Sequence, residues 1–451
     1  MSAGQFPARA IVIGTGLIGT SVALALRPRG VEVWLADADP AAARLAADIG
    51  AGTVLSGMPG TVPGVTAPAG TEPAGTEPAG TEPAGTEPAG TEPAGTEPAG
   101  TEPAGTEPAG TEPVGGVPAG LVPPGGPADI AVLAVPPEAI AETLASAQAH
   151  GIARWYTDVA SVKSLPVARA QALGCDMTSF VPGHPLSGRE RTGPAAARAD
   201  LFLGRPWVIC PGAQTPAAGI EAVEALARAC GAEPVLASAD EHDRWVALVS
   251  HAPHVVSAAM AARLADARDG ALALAGQGLR DVTRIAAGDT RLWTQILAAN
   301  AAPVAEVLAA VAADLASAAE ALADTAHASG LRPVPGPGSP GTGSAGTGLA
   351  GPELKAVAAL LDSGSAGVAR IPGKRGAPAR DEAIVQVVIR DLPGELARLF
   401  QAAGEAGVNI EDIGIEHSPG LPVGVAELTV RPEAVAPLTE TLGAHGWPVR
   451  R

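Results

Sequence analysis

Apolar residues in the first part of the chain fall in short unbroken runs rather than in alternation with polar ones. Ala10-Ile11-Val12-Ile13 ends at a glycine cluster, Val31 to Ala36 ends at Asp37, and a third short run spans Thr53 to Leu55. Between them lie helical stretches, one reaching about Arg29 and one from Pro40 to Ile49. Unbroken apolar runs suit strands covered on both faces, and strand–helix alternation predicts an α/β fold with a doubly wound parallel sheet. The pattern resumes at Asp129 to Val135, closed by Pro136-Pro137, and again at Arg154 to Thr157 and Pro206 to Cys210. From His242 to His327 the periodicity turns helical, in long Ala-rich amphipathic stretches. Such helices need a partner surface, so this part is expected to form an all-α domain that also dimerises. A Pro/Gly/Ser/Thr linker from Leu331 to Gly351 and a possible helix over Glu353–Asp362 lead to a last segment, Ile384 to Arg451. That segment reads strand, helix, strand, strand, helix. The expected division is residues 1–211, 212–330, a linker over 331–380, and a small α+β domain over 381–451.

One stretch breaks the pattern. From Pro68 to Glu112 the sequence is nine identical copies of Pro-Ala-Gly-Thr-Glu. Proline at every fifth position prevents continuous helix or sheet pairing, and the unit has nothing with which to build a core. It is expected to be a solvated acidic loop, and the logarithmic growth of loop-closure cost lets a sheet tolerate it. The repeat also changes the reading of charge. The net charge of −18 argues against nucleic-acid partners, but half of it comes from the nine Glu of the repeat. An acidic surface does not attract an anionic substrate, so local Arg residues would have to hold one. Three cysteines without paired spacing fit a reducing compartment. With no apolar run judged long enough to cross a membrane and no leader-like start, the chain is expected to be cytoplasmic.

The glycine cluster carries the first chemistry. Gly14-x-Gly16-x-x-Gly19 sits between a strand and a helix, the context in which the pattern binds a dinucleotide. Gly14 permits the turn, Gly16 lets the backbone approach a pyrophosphate, and Gly19 lets helix and strand pack closely. Leu17 and Ile18 open the helix, and Val135 and Pro136 close a neighbouring strand; all four are placed in the same site. Asp37, at the end of the second strand, can accept hydrogen bonds from a ribose and would repel a 2′-phosphate, which predicts NAD rather than NADP. Asp39, before Pro40, is the natural cap of the next helix.

Four further segments supply candidate chemistry. Gly183-His184-Pro185-Leu186-Ser187-Gly188-Arg189-Glu190 sets one imidazole in a Gly/Pro frame with a carboxylate six residues on. Histidine takes up a proton near neutral pH without a metal. Asp158-Val159-Ala160-Ser161-Val162-Lys163 follows a strand. His242-Asp243-Arg244-Trp245 precedes Ser250-His251-Ala252-Pro253-His254, in which His251 and His254 share a helix face. This set lacks a zinc spacing such as HExxH, and no metal is expected. Gly278-Leu279-Arg280-Asp281-Val282-Thr283-Arg284-Ile285 puts Asp281 and Arg284 on one helix face, with Trp293 beyond. An Arg fork grips a carboxylate at two points, which Lys cannot match.

In their order along the chain, the segments resemble the prephenate and arogenate dehydrogenases, the oxidative decarboxylases of tyrosine biosynthesis. In the last domain, Asp391-Leu392-Pro393-Gly394-Glu395-Leu396 and Gly407-Val408-Asn409-Ile410 resemble the ACT fold, a small module that often binds amino acids. The resemblance implies NAD-dependent oxidation with loss of CO2. In it, His184 accepts the hydrogen bond of the substrate 4-hydroxyl and Ser161 stands beside that hydroxyl and the nicotinamide. Arg284 holds the ring carboxylate and is oriented by Asp281, His254 lines the pocket, Glu190 lies near its mouth, and Trp293 forms a wall contributed across a homodimer. Tyrosine is the implied effector at the ACT-like domain, and His251 is assigned to structure. The residues themselves leave alternatives open: Ser161 as a helix cap, Lys163 as a solvated or cofactor-side charge, Glu190 as a surface ion pair. Three other functions compete. Arogenate dehydrogenase changes only the substrate. Another hydroxyacid- or imine-type dehydrogenase would place a lysine where His184 stands. A non-catalytic amino-acid sensor is opposed by the presence of His184 and Arg284.

Overall fold

The computed structural model describes residues 7–55, 122–187, 192–328, 354–371, 383–417 and 422–450. The repeat, Glu190 and most of the 331–380 linker lie outside these residues.

The first unit is built on a parallel sheet. Strands β1 (Arg9–Ile13), β2 (Glu32–Ala36) and β3 (Thr53–Val54) alternate with helices α1 (Leu17–Leu26) and α2 (Pro40–Asp48). Then follow β4 (Ala128–Leu133), α3 (Ile140–Ala149), β5 (Ala153–Asp158) and α4 (Ser164–Ala172). The sheet order is β3-β2-β1-β4-β5, every pair parallel. Chain order reverses between β1 and β4, the place where doubly wound sheets open a ligand crevice. The unbroken apolar runs are explained by burial on both faces. Ala10, Val12, Ile130 and Val132 enter one core, while Ile11, Ile13, Ala131 and Leu133 enter the other. Each fully buried aliphatic side chain contributes about 1.5–3 kcal/mol. Asp39 accepts from the Ala41 N–H at 2.8 Å and, with Pro40 at the first helical position, starts α2 as expected.

A second sheet continues the unit. Strands β6 (Gly183–Pro185), β7 (Pro206–Ile209) and β8 (Glu233–Leu236) form it, with β6 antiparallel and β8 parallel to β7. Helix α5 (Ala217–Ala229) buries Val223 and Leu226 in the same core as β1 and β4. The expected boundary at residue 211 therefore falls too early. Both α5 and β8 belong with the parallel sheet, and the helical part starts after Leu236.

The helical unit comprises α6 (Ala239–Val246), a wide π-helical turn at Ala247–His251, and α7 (Ala252–Ala262). Short helices α8 (Asp269–Leu272) and α9 (Gln277–Thr283) lead through a 3₁₀ turn at Arg284–Ala287 to α10 (Thr290–Ala299) and α11 (Ala301–Ala328). Ser238 and Glu241 form a reciprocal capping box at the start of α6, which fixes where that helix begins. Two segments, Ala239–Ala262 and Ala301–His327, are long and apolar enough to cross a membrane by length and composition, contrary to the expectation from sequence. Alanine is individually weak, and its contribution shows only when summed along a whole helix. In the first of these segments His242, Asp243, His251 and His254 are buried and hydrogen-bonded or stacked.

Helix α12 (Lys355–Ala369) falls inside the expected linker and packs on α11. The last unit runs β9 (Ala383–Arg390), α13 (Glu395–Glu405), β10 (Asp412–His417), β11 (Val423–Val430), α14 (Val435–Ala444) and β12 (Val449–Arg450). Its antiparallel sheet has the order β10-β11-β9-β12. Alternate residues of β9 and β11 are buried against α13 and α14, so one face is covered and the other open.

Candidate active site

Two glycines shape the ends of the strands that carry the site. Gly14 has φ +98°, and a Cβ there would lie 2.3 Å from the Ala134 carbonyl oxygen, so the β1–α1 turn can press against the end of β4 only without a side chain. Gly183 precedes His184, and a Cβ on it would lie 2.9 Å from Trp207 Nε1 and 3.0 Å from Thr157 Oγ1. At Gly16, by contrast, a Cβ would meet nothing within 4 Å, and the residue is exposed. The backbone there faces open space at the N-terminus of α1, which fits a dinucleotide pyrophosphate. Leu17, Ile18 and Val135 are half-buried around that space, and Pro136 is exposed beside it. Asp37 Oδ2 accepts from Thr15 Oγ1 (2.8 Å) and from the Thr15 N–H, and Asp37 Oδ1 accepts from the Asp39 N–H (2.8 Å). The carboxylate thus braces the glycine turn while standing half-buried at the end of β2.

A connected polar chain runs beneath His184. His184 Nδ1 lies 2.8 Å from His242 Nε2, and His242 Nδ1 lies 2.8 Å from Asp243 Oδ1. The two imidazoles meet edge to face, 5.1 Å between centroids. The same Asp243 carboxylate accepts from the backbone N–H of Lys163 and of Ser164, each at 2.8 Å. It therefore caps the N-terminus of α4 from a different helix. Burial pushes the Asp243 carboxyl up, but the hydrogen bonds from His242, Ser164 and Lys163 outweigh it and hold the group below its ordinary range. The His184 imidazole is held well below its ordinary value, first by burial and then by His242, Lys163 and His251 around it. It is therefore neutral at physiological pH and available to accept a proton.

Lys163 answers neither of the descriptions open from sequence. Its side chain is fully buried, with Nζ paired to Asp158 and donating to the Gly183 carbonyl at 2.7 Å. Asp158 in turn accepts from the Gly183 N–H (3.1 Å) and the Ala160 N–H (3.2 Å). The ion pair thus ties the end of β5 to the strand that presents His184. Ser161 is half-buried in the bend before α4. That helix is capped by Asp243, so Ser161 is not its cap.

On the helical side, His254 is buried and stacks on Trp293 of the same chain, with centroids 3.6 Å apart and planes 11° apart. Burial lowers the His254 imidazole. His251 is also buried, its Nδ1 3.1 Å from Asn300 Nδ2, and burial brings its pKa down to about 4. Asn300 donates as well to the Asp243 carbonyl at 2.8 Å, joining the start of α11 to α6. Arg284 is exposed and opens the 3₁₀ turn that packs on α7. Asp281 accepts from Gln277 Nε2 at 2.8 Å, one turn back on α9.

Comparison with known proteins gives the chain its relatives. Family models match at residues 126–236, described as the nucleotide-binding domain of prephenate dehydrogenase, and at residues 238–332, described as its dimerization domain. A probable prephenate dehydrogenase, NovF, from Streptomyces niveus is 35% identical over 97% of this chain and 98% of its own length. The chain belongs to the prephenate dehydrogenase family. A prephenate dehydrogenase of Bacillus subtilis is 33% identical over 32% of this chain and 40% of its own. The crystal structure of prephenate dehydrogenase from Aquifex aeolicus, in complex with hydroxyphenyl propionate and NAD+, covers 72% of this chain and 94% of its own, with TM-score 0.53 and 20% identity. That likeness is one of fold.

Within this family frame the structure brings His184, Ser161, Lys163 and the His242–Asp243 pair around the end of β5 and β6. It brings His254 and Trp293 together on the helical side. Glu190 lies outside the described residues. His242 and Asp243 stood in a candidate segment but were given no role by sequence, and Asn300 was not singled out. The signal for the first two was present as an adjacent His-Asp pair behind a capping box, but nothing local shows that His242 meets a histidine 58 positions earlier.

Proposed function

We infer that the chain is an NAD-dependent prephenate dehydrogenase, converting prephenate to 4-hydroxyphenylpyruvate and CO2. The observation that carries this reading is the neutral imidazole of His184, held from below at Nδ1, in a chain 35% identical to a prephenate dehydrogenase over nearly its whole length. When bound, the nicotinamide supplies the hydride acceptor. The protein binds, orients and moves a proton. His184 Nε2 accepts the 4-hydroxyl proton as the C4 hydrogen leaves with its electron pair, and Ser161 Oγ positions that hydroxyl. The Arg284 guanidinium holds the ring carboxylate, Asp281 supports it, and Glu190 lies at the mouth. His254 and its stacked partner Trp293 form an aromatic wall for the substrate. Breaking the bond to the departing carboxylate restores aromaticity, so the protein has little bond-breaking to do alone. Asp37 favours NAD, because its charge would repel a 2′-phosphate.

Arogenate dehydrogenase is the second reading, and every assignment above survives it. The chain is further read as a cytoplasmic homodimer with a nucleotide unit, a helical unit and a C-terminal ACT-like unit that binds tyrosine. Support for the last is the βαββαβ order and its four-stranded antiparallel sheet. The test is NADH formation at 340 nm with NAD or NADP, prephenate against arogenate, with and without L-tyrosine. Turnover of prephenate with NAD, reduced by tyrosine, is expected. Silence with both substrates overturns the reading of function, and indifference to tyrosine overturns that of the effector.

A further inference from the structure

We propose that His242 and Asp243 are positioning residues that fix the tautomer of His184 and carry the charge of the proton it takes up. The proposal rests on the prephenate dehydrogenase reading for the identity of that proton, and on the hydrogen-bond chain for everything else.

The argument runs from Asp243 outward. Its carboxylate accepts three bonds: from Lys163 N–H, from Ser164 N–H and from His242 Nδ1. With Asp243 ionised, the His242 Nδ1 must carry a proton to be its partner. A neutral His242 therefore has its lone pair on Nε2. That atom lies 2.8 Å from His184 Nδ1, so His184 must supply the proton between them. The lone pair of His184 is then on Nε2, for which no hydrogen-bond partner is present among the described residues. Each donor in the chain dictates the next, and the outcome is an imidazole whose one acceptor nitrogen faces away from the protein's own network. Had Asp243 been absent, the two rings could have exchanged roles and left a donor at Nε2, unable to take a hydroxyl proton.

The groups packed around His184 support the second half of the proposal. Lys163 is nearby but committed to Asp158 and to the Gly183 carbonyl. Its charge opposes a cation on His184. His251 is held neutral, with Asn300 donating to its Nδ1. Among the described residues that hydrogen-bond this chain of rings, Asp243 is the anion, and it touches His242 rather than His184. The favourable place for a positive charge is therefore His242, one ring deeper.

The reaction needs such a place only briefly. The hydroxyl proton passes from O4 to His184 Nε2 while the Nδ1 proton of His184 moves to His242 Nε2, giving an imidazolium on His242 beside Asp243. The hydride leaves C4 with two electrons for the oxidised nicotinamide. The bond from the ring to its carboxylate then breaks, CO2 departs, and that electron pair passes through the ring to the C4 oxygen. The phenolate so formed takes the proton back from His184 Nε2, and His242 returns the other to His184 Nδ1. Prephenate dianion and oxidised NAD give 4-hydroxyphenylpyruvate anion, NADH and CO2, with no proton left over. A relay that stores and returns a proton suits this balance, and an exit to solvent is unnecessary.

The test uses the full-length chain. In protein labelled with ¹⁵N-histidine, with the His184 signals assigned by loss in His184→Asn, His184 Nδ1 is expected to be protonated and Nε2 to be pyridine-like. This readout does not depend on substrate. His242→Phe is expected to lower kcat at least about a hundredfold with KM changed less than threefold, the scale of a disabled acid–base group. His242→Gln can bridge Asp243 and His184 through its amide, so it should keep the His184 tautomer and recover part of the lost rate, though it cannot hold the proton. An Nε2-protonated His184 in the unaltered protein overturns the proposal, and so does His242→Phe turning over within a few-fold. A protein showing the expected tautomer but no turnover of prephenate or arogenate would overturn the functional reading and leave the tautomer assignment standing.

Discussion

At the scale of single residues, the sequence exposed the groups proposed to meet ligands and concealed the groups that hold them. His184 was legible because glycine and proline frame it, and Gly14, Gly16 and Gly19 because their context is a strand and a helix. Lys163 was ambiguous because a buried lysine and a solvated one look alike in a sequence. Only the fold brings Asp158 and the Gly183 carbonyl to it. His251 shows how burial at this scale reaches stability. Its pKa in the folded chain is about 4, against an ordinary value of 6.5. Between those values the unfolded chain binds a proton that the folded chain does not. Stability from this residue is therefore complete above pH 6.5 and is lost as pH falls toward 4, about 3 kcal/mol across the window. His184, also lowered, acts in the same direction. Urea unfolding followed by tryptophan fluorescence should show a midpoint that drops between pH 7 and 4.5. His251→Gln should flatten part of that drop; an equal drop in the variant would place the proton uptake elsewhere.

At the scale of elements, continuous apolar runs gave the parallel sheet, whereas the short strands β6 and β8 passed unnoticed. β8 is an edge strand with Pro234 in it and mostly exposed side chains, so neither an unbroken run nor an alternation marks it. The domain boundary was misplaced for that reason, since without β8 the helix α5 had no evident sheet to cover. The capping box at Ser238 and Glu241, by contrast, fixes the start of α6 and hence the position of His242 and Asp243. Helix α4 is the element on which the site turns. Its first N–H groups are capped by Asp243, and Lys163, at its N-cap, locks β5 to β6. Lys163→Met would leave Asp158 a buried carboxylate without its cation, a loss of about 3–5 kcal/mol. The expected result is a lower denaturant midpoint together with lower kcat, because the Gly183 carbonyl loses its anchor. The double change Lys163→Met with Asp158→Leu should recover much of the stability. Failure to do so would mean that Asp158 matters mainly through its bonds to the Gly183 and Ala160 N–H groups.

At the scale of the whole molecule, helix α11 is the element that bears on assembly. Val304, near the start of the helix, and Ala321 are buried within the chain. Ala305, Ala312, Leu315, Ala319 and Leu322 are exposed, and from Ala312 they recur at spacings of three and four, the seam of a helix that packs against a second helix. Leu315 is 58% exposed and Leu322 53%, which leaves apolar surface of a kind that soluble chains cover. The matched dimerization domain spans this helix, so a second copy of the chain is the fitting cover. In the sequence the stripe was legible only as an amphipathic tendency, because alanine occupies so many of its positions. Sedimentation of the full chain should give twice 44.3 kDa. Leu315→Glu with Leu322→Glu places two carboxylates in the seam and should yield monomers, while the stack of His254 on Trp293, which lies within one chain, should keep the substrate wall in place. Monomers that retain prephenate turnover would show that each chain carries a complete site. Monomers that lose kcat while folded would show that the second copy completes it, and an undisturbed dimer would move the interface to another face of the helical unit.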